Sequence, residues 1–182
     1  MTQPVVSITQ TQIQTALRAF LLSILPAGIP IVRGQDNRVP EPSVADFVVL
    51  TPIARDRLAT NIAAYSDPYP ATPSVRTDTQ KTQVTYQIDV HGPNSADNVT
   101  TAMALFRSDV ACQFFGGQGY DVQPLYTSDP RQIPFINGEQ QYEDRWTCDL
   151  VMQANISIDT PQQFAGTVDT SGIVNIESTY PP

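Results

Sequence analysis

The stretch 142–158 constrains this chain more than any other. Its apolar residues Tyr142, Trp146, Cys148, Leu150, Met152, Ala154, Ile156 and Ile158 fall on even positions. Arg145, Thr147, Asp149, Gln153, Asn155 and Ser157 fall on odd ones. A period of two sustained this long predicts one extended β-strand with a buried face and a polar face. At about 3.3 Å per residue such a strand spans roughly 56 Å. A chain of 182 residues packed as one domain is only about 41 Å across, from its expected radius of gyration. The strand must bend, break at a bulge, or project beyond its own domain onto a neighbour.

The rest of the pattern supplies partners for it. Val84, Tyr86, Ile88 and Val90 alternate with Gln83, Thr85, Gln87 and Asp89, a second strand over 82–91. Shorter strands are predicted at 29–33, 46–53 (continuing with kinks toward Ala64), 119–126 and 131–136. Asn137-Gly138 reads as a tight hairpin turn joining 131–136 to 139–146. A helix is predicted over 7–25, with Ile13, Ala16, Leu17, Phe20, Leu21 and Ile24 on one face and Ser7 with Gln10 as its capping box. A second helix is predicted over 95–115, capped by Asn94 or Ser95. Val99, Ala102, Met103, Phe106, Val110 and Phe114 form its stripe, and Gly116-Gly117 ends it. Tyr65–Ser74, with three prolines, reads as an extended loop. These elements describe a single α+β domain over 1–159, two helices on a twisted, mostly antiparallel mixed sheet with a long projecting hairpin. Residues 160–182 are polar apart from Ile173, Val174 and Ile176, and read as an extended C-terminal arm laid on a partner or disordered.

Composition narrows the function. Only 15% of the residues are charged and 16 are Pro, which suits a domain that covers much of its outer surface with copies of itself. The 18 acidic and 10 basic side chains give a net charge of −8, and Lys81 is the one lysine. Gripping nucleic acid takes clustered cations, which this sequence lacks, whereas an acidic surface lets a polyanion pass without sticking. No stretch approaches the roughly 18 apolar residues of a membrane span. The N-terminus lacks the basic start of a signal peptide. Cys112 and Cys148 match no metal or redox spacing and read as unbonded thiols in or near the core of a protein made in the cytoplasm.

Catalytic chemistry finds little purchase. His91 is the one histidine, so acid–base or triad chemistry has to use it. Yet it ends a strand before the turn pair Gly92-Pro93 and reads as a bystander whose replacement by Ala leaves function intact. Gly116-Gly117-Gln118-Gly119 lacks the Lys-Ser/Thr of a phosphate loop and sits at a helix end. No nucleophile elbow and no calcium-loop spacing occurs. A non-enzyme with no cofactor and no metal is expected. Trp146 belongs to the apolar face of the long strand, and Arg145 points the other way, toward Glu143 or a neighbouring subunit.

Three segments carry a resemblance. Val32-Arg33-Gly34-Gln35-Asp36-Asn37-Arg38-Val39-Pro40-Glu41-Pro42 followed by Phe47-Val48-Val49-Leu50-Thr51-Pro52 is one. Gln87-Ile88-Asp89-Val90-His91-Gly92-Pro93 leading into a helix is the second. Pro134-Phe135-Ile136-Asn137-Gly138-Glu139, with Gln141-Tyr142-Glu143 and Arg145-Trp146, is the third. In this order and spacing, over residues 10–158, the chain resembles the neck and tail terminator proteins of contractile-tailed phages. It departs from them at His91, where an aromatic such as Tyr is expected, and in the long tail after Asp159.

The resemblance implies a structural virion protein of the tail neck, assembled in the host cytoplasm. Six copies would form a ring that caps the tail tube and ends tube and sheath growth. The ring would dock the head connector, with genomic DNA only as passing cargo and no membrane. A head-side adaptor or stopper and a tail-tube or baseplate component are the alternatives in the same class; a small hydrolase using His91 is the alternative from another. The residues expected at subunit or partner interfaces are Phe135, Ile136, Asn137, Arg145, Arg33 and Arg38.

Overall fold

The structure is a computed structural model and describes residues 4–37, 40, 42–68, 74–136, 138 and 140–164. In chain order its elements are β1 (Val5–Val6), α1 (Gln10–Ile24), β2 (Ile31–Arg33), β3 (Phe47–Arg57), β4 (Ile62–Ser66), β5 (Val75–His91), α2 (Ser95–Phe106), α3 (Asp109–Gly116), β6 (Val122–Thr127), β7 (Arg131–Gln132), β8 (Phe135–Ile136), β9 (Tyr142–Glu143) and β10 (Arg145–Pro161).

The period-two run does form the long strand, and it has a partner of the same length. β5 and β10 are 17 residues each and pair antiparallel throughout, from Arg145 opposite His91 to Pro161 opposite Val75. At about 3.3 Å per residue the pair spans ~56 Å. The sheet runs β1-β10-β5-β3-β2, with β4 beside β5 and with β6 and β7 beside β10. The long strand starts three residues later than 142, because the chain breaks at Asp144 and leaves Tyr142 and Glu143 in the separate strand β9. Tyr142 is therefore exposed rather than on the apolar face. At the far end Ile158 is half-exposed, since the strand has by then outrun the core.

The middle of the pair is covered on its apolar face. Val84, Tyr86, Ile88 and Val90 of β5, and Cys148, Leu150, Met152 and Ala154 of β10, are buried with Val48 and Leu50 of β3. The helices bring Ile13, Leu17, Phe20, Leu21, Val99, Phe106 and Phe115 to this core. Each such side chain taken out of water contributes about 1.5–3 kcal/mol. Trp146 packs against the same core, as its even position predicts.

Three corrections concern the helices. Among the described residues there are three of them, because the predicted helix at 95–115 breaks at Arg107-Ser108. Ser108 Oγ accepts a hydrogen bond from Val110 N (3.3 Å) and starts α3 as an N-cap, with Asp109 in the first turn. The restart rotates the stripe: Ala111 and Phe115 are buried, Met103 and Phe114 are partly covered, and Val110 is exposed. The capping box of α1 is Thr9 with Gln12, not Ser7 with Gln10. Ser7 is engaged elsewhere, exchanging hydrogen bonds with Ser157 of β10 (2.9 and 2.8 Å) that hold β1 on the sheet.

In the 65–74 stretch, Tyr65 and Ser66 belong to β4, paired with β5, contrary to the loop expected there, and 69–73 lie outside the described residues. β3 extends to Arg57 through an irregularity between Pro52 and Ala54, the kink that Pro52 imposes.

The cysteines divide. Both are unbonded, Cys148 buried and Cys112 exposed on α3, contrary to a near-core placement for Cys112. Burial pushes the Cys148 thiol up to about 12, so at neutral pH it has almost no thiolate, the reactive form. Titration of the native protein with a disulfide reagent at pH 8 is expected to modify one thiol per chain within minutes. The second should follow only after denaturant, and Cys112→Ser should abolish the fast phase. Two fast thiols would contradict the burial of Cys148.

Candidate functional site

The register brings Phe47, His91 and Arg145, the terminal residues of β3, β5 and β10, into one row at one end of the sheet. His91 is 5% exposed. Its ring stacks on Phe47 (centroids 4.4 Å, planes 8° apart) and takes Phe135 edge-on (5.1 Å, 88°). Its Nδ1 lies 3.3 Å from Glu143 Oε1. Burial raises the pKa of the Glu143 carboxyl, which stays protonated to higher pH than an exposed Glu. His91 therefore has a packing role that its place before a turn does not suggest: from the end of β5 it packs between Phe47 of β3 and Phe135 and Glu143 of β8 and β9.

Arg145 finds its partner within the sheet. Its Nε is 3.2 Å from Asp89 Oδ1, and Gln87 Nε2 donates to both Asp89 oxygens at 3.0 Å. Asp89 sits diagonally across the β5–β10 ladder from Arg145, on the same face. The expected contact with Glu143 is lost because the break at Asp144 turns Glu143 toward His91. The Arg145 guanidinium also lies over the Phe135 ring, 5.8 Å from its centroid. Part-buried ion pairs of this kind add little net stability, but they hold an orientation.

What they orient is a small arm. Among the described residues β8 and β9 pair only with each other, Phe135 opposite Glu143 and Ile136 opposite Tyr142. Directly opposed residues share a face and successive residues alternate. Phe135 and Glu143 therefore face the body, while Ile136 and Tyr142 face away, 57% and 84% exposed. The hairpin is as expected, with Ile136 opposite Tyr142, and of its expected Asn137-Gly138 turn Gly138 alone is among the described residues. Asn137 lies outside the described residues.

Arg33 is beside this cluster, with its Nε 3.6 Å from Asp36 Oδ1 on the surface. It lines a groove of about 340 Å³ with Asp36, Phe47, Asp89, His91, Phe135 and Arg145. Arg38 lies outside the described residues. The structure thus gathers Arg33, Phe135 and Arg145 around His91, and presents Ile136 outward. Asp89, Glu143 and Phe47 are the partners that the sequence reading missed. A strand register with Arg145 opposite His91 would have found Asp89. The described lining offers no Ser, Thr or Cys beside His91. Among the described residues no three His, Cys, Asp or Glu side chains are grouped to hold a metal.

Comparison with known families decides between the open alternatives. The model of the phage neck terminator protein family matches residues 11–178. The chain belongs to the phage neck terminator family. Among solved structures, this terminator is similar to the sheath/tube terminator of an extracellular contractile injection system called PVC, captured in an extended state. The likeness has a TM-score of 0.52 at 14% identity, over 93% of this chain and 66% of that one. At that identity it shows a shared fold, and the terminator described here spans about two thirds of its neighbour's length. A comparison with curated proteins finds no significant match. The family and the fold neighbour are both structural terminators rather than enzymes.

Proposed function

We propose that copies of this terminator, six of them, close into a ring that caps the tail tube, ends tube and sheath growth, and offers its other face to the head connector. The observation that carries the ring is the arm: Ile136 and Tyr142, side by side and exposed, on a hairpin locked to the body through Phe135, Glu143 and His91. An apolar pair on a rigid mount loses little freedom on docking. One such patch, inserted into a different surface of the next copy, makes the head-to-tail contact that generates a ring. Arg33, Arg38 and Asn137 belong to the same interface in this reading. The tail tube and sheath proteins are its partners, in the virion neck after assembly in the host cytoplasm.

DNA crosses the lumen in this account without being held. Six copies would carry −48, six times −8, and a field of that sign repels phosphate. The purified protein is expected to give no gel shift with duplex DNA at ~150 mM salt, where phosphate-driven binding is already weakened. A shift abolished by charge reversal at Arg33 would contradict passive passage.

A further inference from the structure

The two long strands overrun the helices at the end opposite the arm, and there the sheet is flanked by β1 on one side and β4 on the other. β3 and β4 lie successively along the same side of β5. Their free edges are treated very differently. Thr51–Arg57 carries Pro52, an irregularity at Ile53, and then Arg55, Asp56 and Arg57. These are the devices that stop another strand from adding. β4 has none of them. Its sequence Ile-Ala-Ala-Tyr-Ser is uncharged and regular, with every residue exposed, and among the described residues its outer edge has no strand partner.

The chain itself leads to that edge. Beyond β10, Gln162 N–H donates to the Ser74 carbonyl (3.0 Å) across the end of β5. Phe164 then meets the Tyr65 ring edge-on, with centroids 6.2 Å apart. From Phe164, eight residues (165–172) precede Ile173-Val174-Asn175-Ile176. Extended, they reach at most about 30 Å, ample for the five residues of β4. That four-residue run is the only apolar patch in the acidic, polar tail, and it is rich in β-branched side chains, which favour strands.

We infer that β4 is an acceptor edge and that its occupant is the segment 173–178 of this chain, added as a further strand beside Ile62–Ser66. Main-chain hydrogen bonds would supply the binding, and Ile173 and Ile176 would cover Ile62 and Tyr65. The segment comes from the same copy or from the next one, and the test below separates these sources. The proposal does not depend on the arm being the ring contact.

The experiment is amide hydrogen exchange on the full chain. In the wild type, β4 amides should exchange at least tenfold more slowly than a free edge strand. Val174→Pro, which removes a donor and fixes the backbone within the added strand, should raise β4 exchange by about that factor. Amides at 84–90 of β5 should not change. Loss of protection on dilution assigns the segment to a neighbouring copy; protection independent of concentration assigns it to the same copy. Equal β4 exchange in the two proteins overturns the proposal. Should Val174→Pro fail to fold, Ala64→Cys with Val174→Cys in a Cys112→Ser background reads the same contact. Oxidation should then give a 64–174 disulfide, within or between chains, and its absence overturns the proposal.

Discussion

Phe20→Ala is expected to cost about 3–5 kcal/mol of folding stability, the range for removing a buried Phe from a core that cannot close the gap. Phe20 is fully buried and is the hub of the helical layer. Its ring lies 5.9 Å from that of Phe106 and 5.4 Å from those of Phe114 and Phe115. Three edge or tilted ring contacts therefore vanish with one side chain, along with what joins α1 to α2 and α3. For a chain of this size a loss of 3–5 kcal/mol lowers Tm by roughly 6–20 °C. Calorimetry of the variant measures it. A loss under about 1 kcal/mol would mean that the helices are held to the sheet independently of one another.

The second large effect concerns assembly. Ile136→Ser with Tyr142→Ser should leave the circular dichroism spectrum and melting unchanged, since both side chains face away from the body. The same variant should shift sedimentation from rings to monomers. Burying such a pair contributes roughly 2–4 kcal/mol per contact, which is about 30- to 1,000-fold in affinity. Phe135→Ala behaves differently. It removes the edge contact with His91 and the ring beneath Arg145, so it should loosen the arm and lower stability as well as assembly. Rings that persist in the Ile136/Tyr142 variant would move the subunit contact elsewhere on the surface.

These two tests separate what the sequence could and could not disclose. The length of β10 was legible because alternation survives any tertiary context in which one face is buried, whereas β5 extends seven residues before the expected 82–91, through Val75–Lys81, where the sequence has no alternation and pairing with β10 and β4 sets the strand. The helix break at Ser108 was less so. A continuous 3.6-residue stripe can be drawn through 95–115, and only the competition of the Ser108 hydroxyl for a backbone N–H ends it. The site shows the same division. Arg33, Phe135 and Arg145 were singled out individually, but their convergence depends on the register that sets Arg145 opposite His91, and register is a property of two strands. His91 was undervalued for that reason. Read on its own strand it is a turn-flanking residue, whereas across the sheet it meets Phe47, Phe135 and Glu143. The register of the arm was hidden in the same way: Asn137-Gly138 signals a tight turn only if the flanking residues pair immediately, and it does not say that Ile136 meets Tyr142.

A capping ring is visible by electron microscopy of tubes polymerised in the presence of the purified protein. A ring of six-fold symmetry is expected on one end of each tube, with growth that stops once the ring is seated and uncapped, overgrown tubes with the Ile136/Tyr142 variant. Protein distributed along the tube wall, or tubes of unchanged length with bare ends, would contradict it.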